Sequence, residues 1–146
     1  MKSRTILIAL IALSLVATAF GKKKAPGPTE VSSLEEALSA KRPAVVMFVN
    51  SKACGCILRA CNASGIHFQA TIDENPGNFV YLEVDIAHNP ELVEEYQMFV
   101  VPAVVFFNEK GEETARLRSR QITPQSLKEH LEKYAGVSPQ EKKEKK

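Results

Sequence analysis

Ala44-Val-Val-Met-Phe-Val49, followed by Asn50-Ser-Lys-Ala53 and then Cys54-Gly55-Cys56, is the stretch on which the reading of this chain turns. Its first six residues are apolar without alternation and rich in β-branched side chains, the pattern of a strand covered on both faces in the middle of a sheet. From Gly55 to about Ile72 the sequence reads as helix, with Ile57, Leu58, Cys61, Ile66 and Ile72 available to face inward, so two thiols stand at a strand-to-helix turn. The first N–H groups of a helix lack intrahelical partners and lie at the positive end of its dipole. Both effects favour thiolate, the form that attacks disulfides and binds metals. The spacing here is C-x-C, one residue shorter than C-x-x-C.

Upstream, Ser32 and Ser33 followed three residues later by Glu35 and Glu36 are capping-box signatures. Leu34, Ala37 and Leu38 give that helix one apolar face, and Lys41-Arg42-Pro43 ends it. Before it, residues 22–31 contain Ala25-Pro-Gly-Pro28 and are expected to form a flexible linker. Residues 1–21 have the make-up of a signal peptide: Lys2 and Arg4, then an apolar run from Ile6 to Phe20, then small residues suited to cleavage. Fifteen apolar residues are short for a membrane span, which needs about 20. Retained as an anchor, residues 6–20 would be the chain's one membrane contact. Either way the domain is expected to be extracytoplasmic, periplasmic or secreted, where disulfides persist.

Downstream, Asp73-Glu-Asn-Pro-Gly-Asn78 is a turn and Phe79–Asp85 a strand. Asn89-Pro90-Glu91 starts a short helix through about Gln97, with Pro90 suited to a first turn. Val101-Pro102 leads into the apolar run Ala103–Phe107, the turn Asn108–Gly111 and a more polar strand from Glu113 to Arg118. Thr123-Pro124 opens a last helix carrying Leu127, Leu131 and Tyr134. This order predicts an α/β fold, a central mixed sheet with helices on both faces.

The 146 residues, 45% hydrophobic and 25% charged, suit one globular domain with tails. The net charge of +2 comes from lysines at the ends, Lys22–Lys24 and Lys142, Lys143, Lys145 and Lys146, so the middle carries no basic footprint for nucleic acid. Residues 136–146 are expected to be a disordered, Lys/Glu-rich tail. Cys54, Cys56 and Cys61 crowd into eight residues and cannot staple distant segments; such a cluster belongs to a redox or metal site. Cys61 lies five helical residues beyond Cys56, about 7.5 Å along the axis, whereas disulfide Cα atoms lie within about 7 Å. It reads most simply as a small buried hydrophobe. Asn62-Ala63-Ser64 forms a glycosylation sequon, but inside a predicted helix.

Over residues 32–135 the chain resembles the thioredoxin superfamily. The residues that carry the likeness are the cysteine turn after Val45–Val49, then Leu82-Glu-Val-Asp85, Asn89-Pro90, Tyr96, Val101-Pro102, Ala103–Phe107 and Lys110-Gly111-Glu112. The resemblance implies a thioredoxin-like fold, a cis proline at Pro102 packed against the cysteine turn, and substrate peptide pairing with the backbone before it, so Val101 and Pro102 are candidate substrate-binding residues. It implies protein thiols or disulfides as partners and no cofactor. It leaves two alignments open. Without a gap, the family's first, nucleophilic cysteine falls on Ala53 and the resolving one on Cys56, the alignment favoured here because it requires no change in loop length; with one residue deleted, Cys54 is the nucleophile. The buried aspartate and the lysine partner that reductants of the family generally carry are replaced by Met47 and Tyr81, and the tryptophan before the motif is missing.

Three functions follow. The first is thiol–disulfide exchange, with Cys54 and Cys56 as catalytic residues and Arg59 or Lys52 lowering the thiol pKa. The second is a non-catalytic binding module that keeps the fold without the chemistry. The third is a soft-metal site of Cys54, Cys56 and Cys61, with His67 as a fourth ligand.

Overall fold

The computed structural model describes residues 27–135. The signal-peptide and tail segments expected at residues 1–21 and 136–146 lie outside the described residues, as do residues 22–26 of the linker. Five strands form one sheet: β1 (Thr29–Glu30), β2 (Ala44–Val49), β3 (Val80–Asp85), β4 (Ala103–Phe107) and β5 (Glu113–Arg118), ordered β1-β3-β2-β4-β5. The pairs β1–β3 and β3–β2 are parallel, and β2–β4 and β4–β5 antiparallel. Four helices accompany them: α1 (Leu34–Ser39), α2 (Gly55–Glu74), α3 (Glu91–Glu95) and α4 (Pro124–Ala135).

The absence of alternation in β2 now has its physical reason. Val46 and Phe48 enter a core shared with Leu34 and Ala37 of α1 and with Met98, whereas Val45 and Met47 enter a second core with Phe68 and Ile72 of α2 and Leu127 and Leu131 of α4. Strand β4 divides likewise, with Val105 and Phe107 on the α1 side and Val104 and Phe106 on the α2 side. A strand buried on both faces has no polar side to show. In β3, by contrast, Leu82 and Val84 are buried, and the intervening Tyr81, Glu83 and Asp85 lie toward the flank of α2 with more exposure.

Several sequence expectations need correction. Thr29 and Glu30, assigned to a linker, form β1: the Thr29 amide donates to the Phe79 carbonyl (3.1 Å) and the Val31 amide to Tyr81 (3.1 Å). Arg42 holds the segment down by donating to the carbonyls of Gly27 (2.8 Å) and Phe79 (3.0 Å). The flexible composition of Ala25–Pro28 therefore gives way to β pairing two residues before the expected boundary. The cap of α1 is also split between the two serines. Ser33 Oγ accepts from the Glu36 amide (3.1 Å), while the Glu36 carboxylate accepts from the Ser32 amide (2.9 Å). Ile66, expected to face inward, is 70% exposed. The buried stripe of α2 runs instead through Cys61, Ser64, Phe68, Thr71 and Ile72, near the three-and-four spacing of a helix face.

Candidate functional site

The turn that leaves β2 is built by short polar side chains and one remote carboxylate. Asn50 Oδ1 accepts from the Lys52 amide (2.9 Å), and the Asn50 carbonyl from the Ala53 amide (3.3 Å). Asp85, at the end of β3, accepts from the Ser51 amide (3.1 Å). Cys54 follows as the N-cap of α2, in extended conformation, with its carbonyl accepting from the Leu58 amide (3.0 Å). The residue at the helix mouth is therefore Cys54, with Ala53 one position before it in the turn.

Cys54 and Cys56 are both exposed and both free, with their sulfurs in contact at 2.7 Å. The contact makes them unequal. The Cys56 thiol donating to the Cys54 sulfur, helped by the amides of Ile57 and Cys56 in the open first turn, holds the Cys54 thiol below its ordinary pKa. The Cys56 thiol, which has to give its proton to that hydrogen bond, is raised by it and by the charge that forms on Cys54. Neither Arg59 nor Lys52, the cations expected to activate the site, is among the causes. Arg59 folds back over Gly55, its guanidinium 3.8 Å from where a side chain at that glycine would begin.

The second structural half of the site comes from β4. The Val101–Pro102 bond is cis. In the antiparallel register Phe48 pairs with Ala103, so Pro102 falls beside the end of β2, at the end of the sheet from which the cysteine turn departs. Phe99 and Val100, just before it, are 73% and 52% exposed. Behind them the segment is anchored by buried Met98 and by Tyr96, whose ring lies 6.2 Å from Phe48 and 6.1 Å from Phe107.

A solved structure of a mutant thioredoxin from Halobacterium salinarum superposes with a TM-score of 0.61 over 80% of this chain and 98% of that one, at 21% identity. The fold is that of thioredoxin. Fasciola hepatica thioredoxin matches over 73% of this chain and 95% of its own at 23% identity (TM-score 0.57), and thioredoxin F from spinach chloroplast over 75% and 95% at 19% (TM-score 0.58). By sequence, the chain matches no protein-family model and no curated protein.

Within the thioredoxin fold, the acid expected on the strand before the motif is replaced by Met47, fully buried. A carboxylate is nevertheless present one strand over. Glu83 pairs in register with Met47, and its Oε2 approaches α2 at Gly65, 3.6 Å from where a side chain there would begin. Burial, then the neighbouring charge of Asp85, pushes its pKa up. Gly65 is nine residues beyond Cys56, about 13 Å along the helix. Glu83 thus lines a groove of about 610 Å³ with Leu58, Cys61, Ile66 and Asp85 and stands away from the thiol pair. Sequence reasoning missed both Glu83 and Asp85; the alternation along β3, which sends residues 81, 83 and 85 to one side, was the signal that would have found them.

The metal alternative fares worse. Cys61 is buried, 5% exposed, while Cys54 and Cys56 face solvent. Among the described residues no three His, Cys, Asp or Glu side chains are grouped to hold a metal ion, so Cys61 and His67 do not complete a site with the pair.

Proposed function

We propose that this protein carries out thiol–disulfide exchange on other proteins through Cys54 and Cys56. The observation that carries the reading is a pair of exposed, free thiols in contact at 2.7 Å at a helix mouth, made unequal because their hydrogen bond lowers the Cys54 pKa and raises that of Cys56. Cys54 thiolate attacks one sulfur of a substrate disulfide; that S–S bond breaks, a Cys54–substrate disulfide forms, and the departing thiolate takes a proton from water. Cys56 then loses its proton and attacks the Cys54 sulfur. This closes a Cys54–Cys56 disulfide and releases the second substrate thiolate. The reverse sequence oxidises a substrate dithiol with the same residues.

Val101 and Pro102 supply the docking edge in this reading. Proline has no N–H to donate, and the half-exposed Val101 backbone beside it is where an extended peptide carrying the disulfide pairs, with Phe99 and Val100 as apolar neighbours. The setting that suits the chemistry is extracytoplasmic. Its support is the basic start at Lys2 and Arg4 and the apolar run Ile6–Phe20.

Trapping tests the proposal. In a Cys56→Ser variant the first step proceeds and the second does not, so mixed disulfides accumulate on Cys54 when the protein meets disulfide-bonded substrates; in Cys54→Ser they do not. Equal trapping by both variants, or none by either, contradicts it. One observation favours the non-catalytic alternative, the buried Met47 where an acid would assist the resolving thiol, and absence of trapping is the outcome it requires.

A further inference from the structure

We infer that Asp85 is a positioning residue for Cys54, acting through the Ser51 amide to hold the cysteine turn in the shape that makes Cys54 reactive. The inference rests on the exchange function proposed above. Asp85 and Ser51 are 34 positions apart in sequence, and the bond between them ties the exit of β2 to the exit of β3. One backbone bond lies directly beside it, from the Ile86 amide to the Val49 carbonyl (2.9 Å). That bond fixes where β2 ends; the Asp85 carboxylate fixes the first residue beyond the end. Three residues later the chain reaches Cys54.

The carboxylate is itself held rigidly. Oδ1 accepts from the Ala87 amide (3.0 Å) as well as from Ser51, Oδ2 lies 3.0 Å from His88 Nδ1, and the Asp85 carbonyl accepts from Asn89 Nδ2 (2.9 Å). Burial opposes its ionisation, but the donors on Ser51 and Ala87 and the charge of His88 outweigh it and hold the pKa at about 2. Asp85 is therefore ionised at every pH at which a thiol exchanges. Glu83, the other carboxylate on this side of β3, makes no comparable bond to the turn.

A bond to an amide and a bare charge make opposite demands on Cys54. A negative charge near a thiol disfavours thiolate, so removing it would raise reactivity. Loss of an anchor lets the turn relax, opens the Cys54–Cys56 contact and lowers reactivity. Asp85→Asn removes the charge yet keeps an oxygen for the Ser51 amide; Asp85→Ala removes both.

The experiment uses the full chain, reduced, with the rate of iodoacetamide labelling of each cysteine followed by peptide mass spectrometry from pH 5 to pH 10. Asp85→Ala is expected to slow labelling of Cys54 at pH 7 by about tenfold, with its pH midpoint moved up toward that of a free thiol, while Asp85→Asn stays within about twofold of the wild type. If Asp85→Ala does not fold, Asp85→Ser, whose hydroxyl falls short of the Ser51 amide, takes its place with the same expectation. An unchanged Cys54 midpoint in Ala or Ser, or a lowered midpoint in both Ala and Asn, overturns the positioning role. A wild-type Cys54 that labels like a free thiol would instead remove the exchange function beneath it, so the two failures are distinct.

Discussion

The exchange proposed for this protein rests on one short contact between two cysteine sulfurs. The Cys56 thiol is the largest influence lowering the pKa of Cys54, ahead of the amides of the helix mouth. The sign of a mutation follows. Deleting the donor leaves the Cys54 thiolate less stabilised, so in Cys56→Ala the pH midpoint of Cys54 alkylation rises, and at pH 7 a smaller fraction of Cys54 is nucleophilic. A kinetic titration of that single thiol measures it, and a midpoint that stays put would mean that the helix mouth alone activates Cys54. The cysteine motif itself was legible in the sequence, because its spacing and its place after an apolar run are local properties. Its activation was not, because the cations that sequence proximity suggests, Lys52 and Arg59, are not what shifts the thiol.

At the scale of elements, β2 and β4 were readable to the residue because each is a continuous apolar run preceded by a proline, Pro43 or Pro102, and followed by an asparagine, Asn50 or Asn108. Helix α2 was readable in type, and Cys61 and Ile72 as part of its buried side, but Ile66 was not. Ile66 belongs by composition to the core and by position to the surface. Gly65, a weak point by propensity, sits in an unbroken helix. A methyl group added there would meet Glu83 Oε2 at 3.6 Å and Met47 Cε at 3.9 Å, both ordinary contacts. Gly65→Ala is therefore expected to stabilise the protein by about 0.5–1 kcal/mol through helix propensity and a less flexible unfolded chain. Denaturant unfolding measures this, and a loss of stability would show that the carboxylate needs that space. Gly111 contrasts with it: a positive φ of 78°, which side-chain-bearing residues rarely adopt, leaves the β4–β5 turn with glycine.

For the whole molecule, the α/β class and helices on both faces followed from the order of elements, whereas strand order and the pairing of β1 depend on contacts between distant segments. The site shares that division. Cys54 and Cys56 are neighbours in sequence, but Pro102 comes to the end of β2 only through the β2–β4 register, and Asp85 reaches Ser51 only because β3 lies parallel to β2. Met47 and Cys61 remain inside the molecule, one on each side of the α2 interface, and neither takes part in the exchange proposed. That separation makes the central claim measurable in one titration. The full-length protein is equilibrated across a series of reduced and oxidised glutathione ratios, and the state of each cysteine is read by mass after acid quenching and alkylation. Cys54 and Cys56 should lose their thiols together, as one reversible two-electron couple, while Cys61 stays reduced throughout. Independent glutathionylation of the two, a disulfide involving Cys61, or thiols that never pair would contradict the account.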